Sequence, residues 1–236
     1  MTVNAVRNLE KVKEKIALAA KEAGTDPQDI TLVAVSKYAS LKAVKELIAA
    51  GHRDFGENRV KDGLGKLEAI AEADIRWHMI GRLQTNKLKY ISPFYLIQSL
   101  DRWDLAVKMS EYARRHELTY QCLVQVNVAN DPAKGGIRLE EVEDFLIRVA
   151  ALEGLSIRGL MTITALDAEE AQTRAWFERM ATKFRQLGKQ SLPASVRMDW
   201  LSMGMSADYE MAVAAGANLV RVGSAIFAAK GDEDAT

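Results

Sequence analysis

The sequence predicts an α/β protein, a single (β/α)8 TIM barrel preceded by an extra N-terminal helix. Three observations carry this: eight apolar β-type runs alternate with segments able to form crossover helices, the 236-residue length suits one barrel, and no glycine-rich turn follows the first strand. The last point separates the barrel from an open doubly wound sheet, which advertises such a turn, whereas VAVSKYAS has no glycine.

Residues 3–23 place Val6, Leu9, Val12, Ile16 and Ala20 on one side of a helix, with lysines and glutamates elsewhere, until Gly24 stops it. Residues 1–25 are therefore read as the extra helix. After Asp26-Pro27 the strand candidates are ITLVAVSK (30–37), DFGEN (54–58), RWHMIG (76–81) and YLIQSL (95–100), then YQCLVQVNV (120–128), LSIRGLMTI (155–163), RMDWLSMG (197–204) and NLVRVGSAIF (218–227). Two stretches, AVKELIAAGHRDFGEN and EMAVAAGANLVRVGSA, run helix, Ala-Ala-Gly, strand, so Gly51 and Gly216 suit the left-handed position that ends a helix. Residues 1–236 are expected to form one domain, with 231–236 a frayed acidic tail.

Composition narrows the function. Thirty-two basic residues balance thirty-two acidic ones, so no overall field recruits nucleic acid or an anionic membrane. No uncharged apolar run approaches the roughly 18 residues that span a bilayer, and no export signal is visible at the N-terminus. The lone Cys122 sits in an apolar run, where a buried, inert thiol and a reducing cytoplasm are the expectation. His52, His78 and His116 show no metal-ligand spacing, and neither a Gly-x-Ser-x-Gly elbow nor a Walker lysine motif occurs.

In a parallel barrel, catalytic and binding groups come from the C-terminal strand ends and the loops that follow. The candidates are Lys37, Glu57-Asn58, His78 with Gly81, Asn127, Met161-Thr162, Ser202 to Ser206, and Arg221 to Ser224. Lys37 follows the apolar run LVAV, which puts its amine at the rim of a dry interior that favours the neutral, nucleophilic form. The plainer explanation is a lysine that snorkels to solvent. In the last quarter, SMGMSADYEMAVAAG opens a small, hydroxyl-rich loop into a helix, and RVGSAIF makes a second Gly-Ser turn. Both turns can aim backbone N–H groups at one anion, although Gly204 and Gly223 can also serve tight turns alone. His78 lies inside a strand, where a satisfied core histidine is the ordinary case.

Taken together, AVSKYAS, FGENRV, WHMIGRLQTNK, QSLD, VNVANDPAKGG, GLMTI and LSMGMSADYEMAVAAGANLVRVGSAIF resemble the YggS/PROSC family of pyridoxal 5′-phosphate (PLP) homeostasis proteins, from the strand of Lys37 to Phe227. The pairing of SMGMS with RVGSAIF is the specific part. The resemblance implies a fold-type III PLP barrel, similar to the N-terminal domain of alanine racemase but without that enzyme's second domain. By the same match Lys37 is the Schiff-base lysine, Ser206 with the backbone around Gly223 and Ser224 takes the phosphate, and Arg221 approaches the pyridine nitrogen. Asn58, His78 and Met203 would line the cofactor. Three departures fall on the rim: Tyr38-Ala39-Ser40 after the lysine, NVANDPAKGG without a Glu-Ser before its Lys-x-Gly, and Ala228-Ala229-Lys230 where Gly and Arg are common. Asp131 to Gly136 is expected to form a mobile loop over the mouth.

The function expected from this resemblance is a non-enzymatic, monomeric cytoplasmic protein that stores, delivers or buffers PLP, with PLP-dependent apo-enzymes as partners. Two rivals stand beside it. One is a PLP-dependent racemase or decarboxylase; the other is a PLP-free Schiff-base aldolase in which the same loops hold a substrate phosphate.

Overall fold

In a computed structural model, which describes residues 4–70, 72, 74–164 and 168–228, the N-terminal pattern folds as expected. Helix α1 (Ala5–Glu22) is capped by the side chain of Asn4, which accepts from the Arg7 N–H at 3.0 Å. Leu9, Val12 and Ile16 are buried along one face, each contributing about 1.5–3 kcal/mol on leaving water. Asn8 Nδ2 donates to the Ile226 carbonyl at 3.1 Å, tying the helix to the far end of the chain.

The strands are β1 (Thr31–Val35), β2 (Asp54–Glu57), β3 (Arg76–Met79), β4 (Leu96–Leu100), β5 (Tyr120–Asn127), β6 (Ile137–Arg138), β7 (Leu155–Thr162), β8 (Val196–Ser202) and β9 (Leu219–Val222). All pair in parallel in the order β4-β3-β2-β1-β9-β8-β7-β5, and a β4–β5 pairing closes the ring of eight; β6 is a short addition beside β5. Helices α2 (Leu41–Ala49), α3 (Val60–Ala69), α4 (Trp103–Arg115), α5 (Val142–Val149), α6 (Glu170–Gly188), α7 (Tyr209–Ala215) and α8 (Ser224–Phe227) complete the fold. The predicted barrel is therefore the observed one, with α1 as the extra helix.

Parallel pairing demands crossovers long enough to return the chain, and most are the predicted helices. Between β3 and β4 the return is only a 3-10 helix, Thr85–Tyr90. The two Ala-Ala-Gly helix ends behave alike, with Gly51 at φ 89° and Gly216 at φ 110°.

Five strands fall within two residues of their sequence runs, and the other three differ for a visible reason. The run 30–37 stops pairing as a strand at Val35, because the Ala39 N–H turns back to the Ser36 carbonyl at 2.9 Å. The run 197–204 begins at Val196 and ends at Ser202, before a left-handed turn at Gly204 with φ 91°. The run 218–227 divides into β9 and α8, since the chain turns at Gly223 and the Phe227 N–H bonds to the Gly223 carbonyl. The frayed tail expected over 231–236, and residues 229 and 230 of the last departure, lie outside the described residues.

Most apolar side chains pack between the barrel and its helices. A second, smaller cluster of Val33, Leu96, Leu123, Met161 and Leu219 comes from five different strands, as an interior barrel layer must. Because side chains alternate along a strand, Gln98 lies on the same face as Leu96, Ser202 as Trp200, and Arg221 as Leu219. On β4, β8 and β9 the interior face thus passes from apolar to polar toward the C-terminal mouth.

Candidate polar mouth of the barrel

Lys37 stands two residues beyond β1 in an exposed turn. The Ser36–Ala39 turn ends the strand just before it and leaves its side chain exposed, with Nζ 5.1 Å from the ring centroid of exposed Tyr38. What is dry lies just beneath. Glu57, at the end of β2 and fully buried, accepts at Oε1 from Ser36 Oγ at 2.5 Å and from Lys66 Nζ at 2.6 Å. Lys66 also donates to the Ser36 carbonyl, while Glu57 Oε2 is buried without a partner among the described residues.

Asn58 is half-buried at the following bend. Its main chain packs so closely on Gly81 that a Cβ there would overlap the Asn58 carbonyl oxygen. This is why β3 must leave the barrel through a glycine.

The phosphate candidates converge. Ser206 Oγ accepts from the Gly223 N–H at 3.1 Å and from the Ala225 N–H at 3.3 Å, which brings the loop after β8 against the turn after β9. Gly223 passes so near β1 that a Cβ there would lie 3.3 Å from Val35. Ser224 is exposed at the start of α8. Asp208 stiffens the same loop by accepting from the Met205 N–H at 2.6 Å and from Thr164 Oγ1 at 2.9 Å.

Arg221 is only 3% exposed and rises from the barrel interior. Nη1 donates to Ser202 Oγ at 2.5 Å and Nη2 to the Thr162 carbonyl at 2.8 Å; no carboxylate among the described residues pairs with it. Burial pulls it down to about 10, with Asp208 acting the other way, so it is a full cation at neutral pH.

The remaining two site candidates do not reach the mouth. Met203 is fully buried in the packed core between barrel and helices. His78, 1% exposed, lies inside the barrel with both nitrogens engaged, Nε2 3.1 Å from Asp54 Oδ1 and Nδ1 3.0 Å from Gln98 Nε2. Burial alone would raise the pKa of Asp54. Hydrogen bonds from Arg76 and His78, with the Arg76 charge, outweigh it and hold the carboxyl at about 2. The thiol of Cys122 is fully buried and pushed up by desolvation, as an inert core cysteine should be.

The loop expected to be mobile over the mouth is tied down on one side. Asn127 Nδ2 donates to the carbonyls of Asp131 and Lys134, at 2.7 and 3.2 Å, and Gln125 Nε2 to that of Gly135 at 2.9 Å. Sequence reasoning passed over Lys66, Asp54 and Gln98. Lys66 follows Val60 and Gly63, the two buried positions of α3, at steps of three, and Gln98 is a polar residue inside an apolar strand; both patterns were readable.

The donors at this mouth are two backbone N–H groups, a hydroxyl, a buried guanidinium and a free amine, a set that fits a phosphate, a ring nitrogen and an aldehyde. The family model described as "Alanine racemase, N-terminal domain" matches residues 8–230. The "Pyridoxal phosphate homeostasis protein" of Escherichia coli (strain K12) is 38% identical over 227 residues, covering 94% of this chain and 95% of the relative. The structure of PipY of Synechococcus elongatus, solved with PLP bound, superposes with TM-score 0.77 at 35% identity, over 90% of this chain and 99% of that one. An alanine racemase of Clostridium difficile shares the fold at 15% identity, with TM-score 0.67 over 94% of this chain and 57% of the racemase. The barrel, its polar mouth and these matches over nearly the whole chain agree: the protein belongs to the alanine racemase N-terminal domain family and, within it, to the pyridoxal phosphate homeostasis proteins.

Proposed function

We propose that this protein binds PLP at the barrel mouth and serves its homeostasis by storing, delivering or buffering the cofactor. The observation that carries the reading is the convergence of the Gly223 and Ala225 N–H groups on Ser206 Oγ, in the turn that begins two residues after the buried cation Arg221. In this reading Ser206, Gly223 and Ser224 take the phosphate, and Arg221 faces the ring nitrogen. Asn58 lines the cofactor, while His78 and Met203 support the site from behind its surface. Lys37 holds the cofactor as a Schiff base, and its exposed turn suits exchange with solvent and with apo-enzymes. The names of the relatives and the PLP-bound neighbour support the same assignment.

We assign the protein no turnover of its own. PLP supplies an electron sink when bound, but a guanidinium beside the ring nitrogen disfavours protonation there and weakens that sink. We place it in the cytoplasm as a one-domain monomer. The balanced charge and the single buried thiol support this, and no helix among the described residues is long and apolar enough to cross a membrane.

The test is to titrate the protein with PLP, follow the visible band, reduce with borohydride and map the label. Label on Lys37 is expected. No band, or label on another lysine with Lys37 bare, overturns the assignment. Enzyme-like Cα–H exchange of L-amino acids in deuterium oxide, abolished by Lys37→Ala, would convert the reading to a PLP enzyme.

A further inference from the structure

Behind the mouth, three side chains, Ser202, Gln98 and His78, connect a buried cation to a buried anion through the barrel interior. Arg221 Nη1 reaches Ser202 Oγ at 2.5 Å, Ser202 Oγ reaches Gln98 Oε1 at 2.7 Å, Gln98 Nε2 reaches His78 Nδ1 at 3.0 Å, and His78 Nε2 reaches Asp54 Oδ1 at 3.1 Å. Asp54 is gripped from its other side by Arg76, through Nε at 2.7 Å and Nη2 at 2.5 Å. These residues come from β9, β8, β4, β3 and β2, so only a closed barrel brings them into line.

The chemistry of the two ends dictates every proton between them. Ionised Asp54 can only accept, so His78 must carry its hydrogen on Nε2 and present a bare Nδ1. Bare Nδ1 needs a donor, which orients the Gln98 amide with nitrogen toward the ring and oxygen toward Ser202. The Ser202 hydroxyl then donates to that oxygen and leaves its lone pair to Arg221, which can only donate. A doubly protonated His78 would turn the amide over and leave the Ser202 hydroxyl hydrogen facing donors on both sides. The edge of Tyr95 packs against the His78 ring at 5.7 Å between centroids and limits its rotation.

We propose that Ser202, Gln98, His78 and Asp54 form a one-way hydrogen-bond relay that orients the guanidinium of Arg221 at the mouth, and that they are positioning residues for the cofactor's ring nitrogen. The second half rests on the PLP reading above. With no carboxylate among the described residues paired to it, the buried guanidinium has little else there to hold its plane: besides Ser202, its partner is the Thr162 carbonyl. Losing one link frees the next, so a change at Gln98 is felt at Arg221 although the two make no hydrogen bond to each other.

The experiment has two arms. In the first, the protein without cofactor is labelled with 15N-histidine, and the His78 ring is read by NMR. Hydrogen on Nε2 and none on Nδ1 is expected, and Gln98→Glu, which removes the donor facing Nδ1, should add a proton there. The Nδ1–H tautomer in the parent, or an unchanged ring in Gln98→Glu, overturns the relay. In the second arm, 15N-labelled PLP is bound and its ring-nitrogen resonance compared between the parent, Ser202→Ala and Gln98→Glu. Both variants should move it. Lower melting temperatures with an unmoved ring resonance would mean a structural role only and overturn the positioning claim. Failure of the parent to bind PLP would overturn both the proposed function and the positioning role, and the first arm separates that result from failure of the relay.

Discussion

Lys66 Nζ and Glu57 Oε1 meet at 2.6 Å directly under the turn that carries Lys37, and both also bond Ser36, the residue before it. Glu57 is fully buried and Lys66 nearly so. Such a pair returns little net stability against a well-packed apolar substitute, but losing one partner strands a charge. Lys66→Met is expected to destabilise the protein by about 3–5 kcal/mol in urea unfolding. The double variant Lys66→Met with Glu57→Gln should recover part of this, because the stranded charge is gone. A Lys66→Met variant as stable as the parent would show that the pair does not hold the turn.

Ser206 is expected to matter for phosphate and not for the aldehyde. Ser206→Ala removes the oxygen on which the Gly223 and Ala225 N–H groups converge. PLP affinity should fall while the Lys37 label after borohydride persists at saturating PLP. Pyridoxal without phosphate should bind much more weakly than PLP to the parent and differ little between parent and variant, because a charge-assisted bond to a dianion is the interaction lost. Equal affinities of the parent for the two ligands would contradict the phosphate assignment.

Acid should weaken the fold through His52 before it does so through Asp54. Burial pulls this imidazole down from 6.5 to about 4, opposed by its hydrogen bond to the Asp54 carbonyl and by the Asp54 charge. The unfolded chain therefore takes up the proton first. The stability His52 contributes is fully present above pH 6.5 and is lost as the pH falls toward about 4, roughly 3 kcal/mol over that window. Asp54, held at about 2 against 3.8, adds its own loss only below 3.8. Urea midpoints between pH 7 and pH 4 should fall steeply in the parent and less in His52→Gln; parallel slopes would remove His52 as the cause.

Gly81→Ala should disturb the site from a distance. The new Cβ would overlap the carbonyl of Asn58, and backbone, unlike a flexible side chain, cannot step aside cheaply. A loss of about 1–3 kcal/mol in unfolding is expected, together with weaker PLP binding through displaced Asn58. Unchanged affinity would indicate that Asn58 does not touch the cofactor.

Local periodicity determined the architecture of this protein. Eight apolar runs separated by helical patterns leave a parallel barrel as the natural way to bury all the strands, and the Ala-Ala-Gly ends at Gly51 and Gly216 act as read because a left-handed φ is a property of one residue and its neighbours. Strand ends also located the mouth, and so the neighbourhood of Lys37, Asn58, Ser206 and Arg221. Boundaries were less legible: whether the chain pairs on or turns at Ser36 and Gly223 depends on what lies across the barrel. The bonding inside was not legible at all. Ser202 and Gln98 are 104 positions apart, and Lys66 meets Ser36 from a different β/α unit. Closure of the ring decides which interior side chains face one another, and the low-dielectric interior then favours pairing a buried polar group with the partner that closure provides.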